Sequence, residues 1–319
     1  MVNVQIINDV HLSDHAPIKC QDTYTDDLFE LLYETVSLAT EYKAVTVFAG
    51  DVFHLKQPSR NSHSLVQRAI DLIKSYPHQV YIVPGNHDLL HDRLESIPSQ
   101  PIGTLLKSGA TLLKGWENSG LPIYGVPWLQ RFTDANVLNA LAEYRNQKDS
   151  FRHSLIVTHA PLYPPGQELP YENYPSLKWA EAAGGKDSSV AYGHVHDFHG
   201  VWQSGGVQFC NNGSLSRGAL TESQMQRAIM TTMWSSINGG FTAIKLNAKP
   251  SEEVFKMSEV SQERKTKVIL DDFLKSVQDT PIELTSLEAV MDQIKTMKLD
   301  SMLETTIREL LEEATENDQ

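Results

Sequence analysis

The sequence predicts a layered α/β fold, and three observations carry that prediction. From the first residues to about Asp88, short apolar runs of buried-strand composition alternate with amphipathic helical stretches, in the order β-α-β-α-β. Three successive runs stop in polar clusters: Asp9-Val10-His11, Gly50-Asp51-Val52-Phe53-His54 and Gly85-Asn86-His87-Asp88. Two later runs end the same way, in His159 and in Gly193-His194-Val195-His196. In open α/β sheets the carboxyl ends of strands are where ligands bind, so these ends are where chemistry is to be sought.

Val4 to Asn8 is the first strand. Between Thr25 and Lys43, Leu28, Leu31, Leu32, Val36 and Ala39 fall on one helical face, with Thr25 as expected N-cap and Asp26 and Asp27 in the first turn. Ala44 to Ala49 is the second strand. A helix over about 61–76 carries Leu65, Ala69, Leu72 and Ile73, and Val80 to Val83 is a third strand closed by Pro84-Gly85. The pattern then weakens. It predicts a short helix over 102–107, a strand over 121–126 and a helix over 133–146 on Val137, Leu138, Leu141 and Ala142. Leu155 to Thr158 and Ser189 to Tyr192 are the fourth and fifth buried strands. Between them, 160–175 holds five prolines and three tyrosines and reads as an ordered loop beside His159. Val207 to Asn211, Arg227 to Trp234 and Phe241 to Leu246, joined by Gly-rich turns, suggest a second, antiparallel sheet.

At Pro250 the composition shifts. No glycine follows, and apolar residues recur at helical spacing over about 263–278, 285–297 and 300–315, as in Leu287, Val290, Met291 and Ile294. A domain over 1–249 and an acidic helical extension over 250–319 are therefore expected. Of the net charge of −13, the extension carries −9 (17 acidic against 8 basic residues), which leaves −4 for the domain. That balance advertises no broad basic surface, yet two bound divalent cations would cancel it, so a polyanionic partner is not excluded. No run of 18 apolar residues occurs, and the opening MVNVQIINDVHL lacks a basic region before its apolar stretch, so neither membrane span nor signal peptide is expected. Cys20 and Cys210 are the only cysteines and have no metal-like spacing. A cytoplasmic location is the expectation.

Asp9, His11, Asp51, Asn86, His159, His194 and His196 together offer two carboxylates, one amide and four imidazoles at five strand ends. Taken singly each has a bland explanation. Asp-Val-His can cap a helix, Asn-His-Asp after Pro-Gly can form a turn, and Gly-His-Val-His can be a surface pair sharing a face by period two. Their joint occurrence at strand ends favours convergence. A mixed oxygen and nitrogen set suits Mn, Fe, Co or Zn better than Ca or Mg. Seven donors exceed one ion and match two if a carboxylate bridges them, for which Asp51, in the middle of the set, is the natural choice.

The order Asp-x-His, Gly-Asp, Gly-Asn-His-Asp, His, Gly-His-x-His over positions 9–196 resembles the calcineurin-like metallophosphoesterase superfamily. The resemblance implies a layered β-sandwich with flanking helices (the metallo-dependent phosphatase fold). It implies one ion on Asp9, His11, Asp51 and His196, and another on Asp51, Asn86, His159 and His194. His87 would not be a ligand; oriented by Asp88, it would stabilise or protonate the leaving oxygen. Within the superfamily, Gly50 to His54 with Pro58-Ser59, and Asn212-Gly213-Ser214 followed by Arg217, resemble the SbcD-type DNA repair nucleases, whose corresponding segment usually reads Pro-Gly-Ser. That branch implies Mn2+ as the native metal, with Fe, Co, Zn or Mg as alternatives, and DNA as substrate. It also implies an ABC-type (SbcC-like) ATPase subunit and a homodimer formed through about 61–76 and 89–107. His54 would set the rotation of the substrate phosphate, and Asn86 and Arg217 would contact it. No G-x-x-x-x-G-K-[ST] sequence is present, so an ATPase must be another chain.

The expected function is thus two-metal hydrolysis of DNA phosphodiesters, as exonuclease, endonuclease or both, in repair, recombination or replication. The alternative within the superfamily is a small-molecule or cyclic-nucleotide phosphodiesterase or phosphatase with a pocket closed by 160–175. A non-catalytic scaffold that recruits an ATPase through 250–319 is disfavoured by the complete donor set.

Overall fold

The apolar runs pair into two six-stranded sheets. The computed structural model describes residues 2–167, 173–185 and 188–257. In spatial order the first sheet runs Gly240–Lys245, Met230–Ser235, Asn3–Ile7, Ala44–Phe48, Val80–Ile82, Thr111–Leu112. The second runs Gly200–Ser204, Val207–Asn211, Ser188–Gly193, Ser154–His159, Ile123–Val126, Gly115–Trp116. Asn3–Ile7, Ala44–Phe48 and Val80–Ile82 are parallel neighbours, as are Ile123–Val126, Ser154–His159, Ser188–Gly193 and Val207–Asn211. Parallel neighbours bring their carboxyl ends to one edge, which is how distant polar clusters meet. Gly193 stands directly opposite His159 in the register, so His194 begins where that strand stops.

Alternation along the strands decides the packing. Val4, Ile6, Val47, Ala49, Tyr81 and Val83 of the first sheet meet Ile123, Leu155, Val157 and Ala191 of the second in a core closed by Trp234. The intervening residues Ile7, Phe48 and Ile82 face the other way and pack with the apolar stripes of helices Tyr24–Tyr42 and His63–Ser75. On the outer face of the second sheet Ile156, Val190 and Phe209 cluster with Tyr144 and Trp179. Helix, sheet, sheet, helix is the mixed α/β architecture expected, with two layered sheets between flanking helices.

Several elements differ from expectation. The strands after residue 227 do not form a sheet of their own with Val207–Asn211. Met230–Ser235 adds antiparallel to Asn3–Ile7, pairing Gln5 with Met233, while Val207–Asn211 joins the other sheet. Without that hairpin the first strand would lack a partner on one side. Thr25 is not the helix cap; Thr23 holds that position, its Oγ1 donating to Asp27 Oδ2 at 3.1 Å and not capping the backbone, and Thr25 Oγ1 donates to Ser13 O at 2.8 Å. The second long helix starts at Ser62, whose Oγ accepts from Leu65 N at 3.0 Å. The helix predicted over 133–146 is two, Asp134–Ala140 and Ala142–Gln147, interrupted at Leu141. A further helix, Ser176–Ala183, was not foreseen; it buries Trp179.

One compact unit spans Met1–Phe255, so the domain runs past Pro250: Val254 and Phe255 are buried, and Phe255 bridges to Cys20. The three helices predicted over 263–315 lie outside the described residues, as do 168–172 of the Pro-rich loop. Among the described residues no helix is long and apolar enough to cross a membrane.

Candidate metal centre

Four of the seven expected donors occupy backbone conformations that only glycine adopts without strain. Asp9 has φ 48°, His11 φ 52°, Asp51 φ 52° and His194 φ 83°, each costing on the order of 1–3 kcal/mol. Backbone ties over-determine them. His11 N donates to Asp51 O at 2.9 Å, Leu12 N to Val52 O at 2.8 Å and His54 N to Leu12 O at 2.9 Å, so the two polar loops run as a short ladder. His194 N donates to both Asp9 carboxylate oxygens, at 3.0 and 3.1 Å, and Ser216 Oγ donates to Asp9 O at 3.0 Å. Gly50, Gly85 and Gly193 are required by proximity, the last by the Ala49 carbonyl. A Cβ on Gly50 would stand 2.0 Å from His159 Nδ1, and one on Gly85 would stand 2.2 Å from Asp51 Oδ1.

The seven donors come together. His11 Nε2 and His196 Nε2 lie 3.0 Å apart, and His196 Nε2 is 3.7 Å from Asp9 Oδ1. Asn86 Oδ1 stands 3.1 Å from His159 Nε2 and 3.2 Å from His194 Nδ1. Asp51 Oδ2 lies between the two groups, 3.7 Å from His11 Nε2 and 3.3 Å from His159 Nε2. Its Oδ1 accepts from His87 N at 2.8 Å, which leaves Oδ2 as the shared atom. Asp9, His11 and His196 form one set able to hold an ion, and Asp9, Asp51 and His159 another.

Residues 2–198 match the family model of the calcineurin-like phosphoesterases. The chain belongs to that family. No curated protein matches the phosphoesterase. Among solved structures it is similar to a 5'-nucleotidase from Candida albicans SC5314, at 13% identity and TM-score 0.43, over 79% of this chain and 53% of that one. A second is a cold-active protein-tyrosine phosphatase of a psychrophilic Shewanella, at 11% identity and TM-score 0.32, over 77% and 81%.

The family uses a dinuclear metal centre, and the phosphoesterase's own residues fit one. The Nε2 atoms of His11 and His196 face each other at 3.0 Å, close enough for both to ligate one cation. His159 Nδ1 donates to Ala49 O at 2.8 Å, which fixes the tautomer and leaves Nε2 to ligate.

Burial opposes ionisation of Asp51, but the imidazoles of His159 and His11 outweigh it and hold the carboxyl well below the usual range. Burial likewise opposes protonation of His159, yet Asp51 and Asp9 raise it to about 9. His194 is lowered to about 3, by burial and then by His159, and His11 is lowered by burial. Burial raises Asp9. In the metal-free protein these shifts favour an ionised Asp51 beside a protonated His159.

Two expectations are corrected. Asp88 does not orient His87. Its carboxylate is buried and accepts from Asp51 N at 2.8 Å, Val52 N at 3.2 Å and Gly85 N at 2.9 Å, so it ties the second and third polar loops together. Burial and then Asp51 raise it to about 7. His87 is instead oriented by His54, whose carbonyl accepts from His87 Nδ1 at 2.7 Å. Arg217 is not with the cluster. Its buried guanidinium donates to Lys249 O and Ser251 Oγ, fastening the segment that leads to Phe255.

His54 is exposed and stacks on His87, with ring centroids 5.5 Å apart and planes at 25°. A nitrogen of each of His11, His54 and His87 lies within 4.8 Å of the others. Sequence reasoning missed Trp128, whose ring lies 4.7 Å from that of His194 and 5.9 Å from that of His159. It also missed Lys56, which donates to the carbonyls of Asn86 and Leu89 at 3.3 Å each. Neither sits in a polar cluster, so no local signal marks them.

Proposed function

We propose that this phosphoesterase is a DNA nuclease of the SbcD type, hydrolysing phosphodiester bonds in repair, recombination or replication beside a separate ABC-type ATPase. The observation that carries the reading is the pairing of exposed His54 with His87 at the mouth of the metal cluster. Two non-ligand imidazoles there suit a phosphodiester with a chain on both sides, one group for each flank of the phosphate. The cleft they line has a volume of about 520 Å³.

One ion would be held by Asp9, His11, Asp51 and His196, and the other by Asp51, Asn86, His159 and His194, with Mn2+ as the preferred metal. Such a pair activates water near neutral pH and neutralises charge on the attacked phosphate. The chain's own groups do the rest. His87, with Nδ1–H committed to His54 O, keeps Nε2 for a proton that the leaving oxygen takes. His54, stacked against it, fixes the rotation of the phosphate. Asn86, whose amide oxygen is shared by His159 and His194, keeps its amide N–H groups for a phosphate oxygen.

The test compares labelled single- and double-stranded DNA with bis-p-nitrophenyl phosphate, in Mn2+ and in chelator. Metal-dependent DNA cleavage is expected. Hydrolysis of the small ester with intact DNA would overturn the reading in favour of a small-molecule phosphodiesterase.

A further inference from the structure

The cleft beside the metal cluster has a second face that no ligand or catalytic group explains. It is lined not only by His54 and His87 but by Ala16, Pro17, Ile18 and Leu55, with Arg60 among them. A single exposed aliphatic side chain needs no explanation. Here, however, Ile18 is 89% exposed, the most exposed large apolar residue described, and it continues an apolar strip inside a catalytic cleft.

The strip is fixed in place. Asp14 accepts from Ser62 N at 2.6 Å and from Ser62 Oγ, which ties the start of the loop to the turn that follows Arg60. Ser13 O is held by Thr25. At the other end Cys20 N donates to Pro17 O at 2.8 Å, and buried Cys20 bridges to Phe255. The tip Pro17-Ile18 therefore projects from a loop anchored on both sides, a preorganised surface rather than a frayed one.

Its chemistry is an aliphatic platform in the same cleft as the Arg60 guanidinium, beside groups placed to handle phosphate. That combination matches a nucleoside: an apolar base face and a neighbouring phosphate. The volume of about 520 Å³ falls in the range of about 300–1,000 Å³ that suits a ligand of one or two small units. A cleft of that volume accommodates one unpaired nucleotide.

We propose that Ala16, Pro17, Ile18 and Leu55 form a subsite for the unpaired base flanking the scissile phosphate, and that Arg60 binds the next phosphate along the strand. The subsite rests on the nuclease reading and specifies it: the enzyme takes single-stranded or frayed ends and grips one base beside the cut.

The experiment is a cycle on the full-length Mn2+ enzyme. Single-stranded oligonucleotides with one defined cleavage position are prepared with a normal base, or with an abasic tetrahydrofuran unit, next to that phosphate. KM and kcat are measured for the unchanged protein, Ile18→Ser and Arg60→Gln. For the unchanged protein, removal of the base raises KM by about tenfold, the scale of losing one buried aliphatic contact. In Ile18→Ser that difference shrinks to about twofold or less. In Arg60→Gln the base discrimination persists, while the slope of log KM against log salt falls by about 0.7, as for one lost contact to a single strand. Full base discrimination in Ile18→Ser, or an unchanged salt slope in Arg60→Gln, overturns the subsite while leaving the nuclease reading intact. Absence of oligonucleotide cleavage by the unchanged protein, with bis-p-nitrophenyl phosphate still hydrolysed, overturns both.

Discussion

The two halves of the metal centre use similar residues in different surroundings. Around His159 the site is closed: that side chain is 0% exposed, its Nδ1 is committed to Ala49, and the ring of Trp128 lies near. Around His196 it is open: that side chain is 45% exposed, and both it and His11 line the cleft. Charge interactions strengthen where water is excluded and weaken where it competes. The contrast teaches that the centre is graded, with one seat closed to solvent and one open to the cleft.

The most severe way to break the contrast is Asp51→Asn, because Asp51 Oδ2 belongs to both halves. Turnover is expected to fall by about 10³-fold or more, with neither ion retained on desalting and elemental analysis. One ion still held stoichiometrically would show that the halves stand independently. His87→Ala should leave both ions in place and lower turnover by about 10²–10⁴-fold; retained activity would remove His87 from the chemistry. The contrast itself is tested by His196→Ala against His159→Ala. The first should retain one ion per chain and the second none, as read by elemental analysis, and equal losses would erase the grading.

Proton release sharpens the same point. His159 is raised to about 9 in the metal-free protein, so below that pH its imidazole carries a proton that ligation must displace. Metal affinity should therefore rise about tenfold per pH unit between 7 and 9 and level off above, with about one proton released per chain. Calorimetric titration in buffers of different ionisation enthalpy measures that proton. A pH-independent affinity would contradict it. The smallest effect is a control remote from both halves. Tyr76 Oη and Thr35 Oγ1 share a buried hydrogen bond of 2.7 Å, so Tyr76→Phe should cost about 1 kcal/mol, or about 2–4 °C in Tm, and leave turnover unchanged.

What the sequence revealed follows from range. Asp9, Asp51, Asn86, His159 and His194 were legible because each closes a short apolar run, and strand and terminus lie within a few residues of one another. Sheet membership was not: the placing of Met230–Ser235 beside Asn3–Ile7 depends on pairing across more than two hundred residues. Thr25 looked like a cap because its acceptor, Ser13 O, is a tertiary partner. Asp88 misled for the same reason, since adjacency suggested His87 while its bonds reach back to Asp51 and Val52. Arg217 followed a recognisable segment, but its guanidinium had Lys249 to satisfy.

The late hairpin has a consequence for biogenesis. The strand that launches Asp9 and His11 leaves the ribosome long before its antiparallel neighbour Met230–Ser235 is made. Until then that strand keeps an unsatisfied edge, and neither His194 nor His196 has been synthesised for most of the wait. A nascent chain released early would therefore carry isolated carboxylates and a sticky strand but no working centre, so premature termination yields aggregation-prone fragments rather than partly active enzyme.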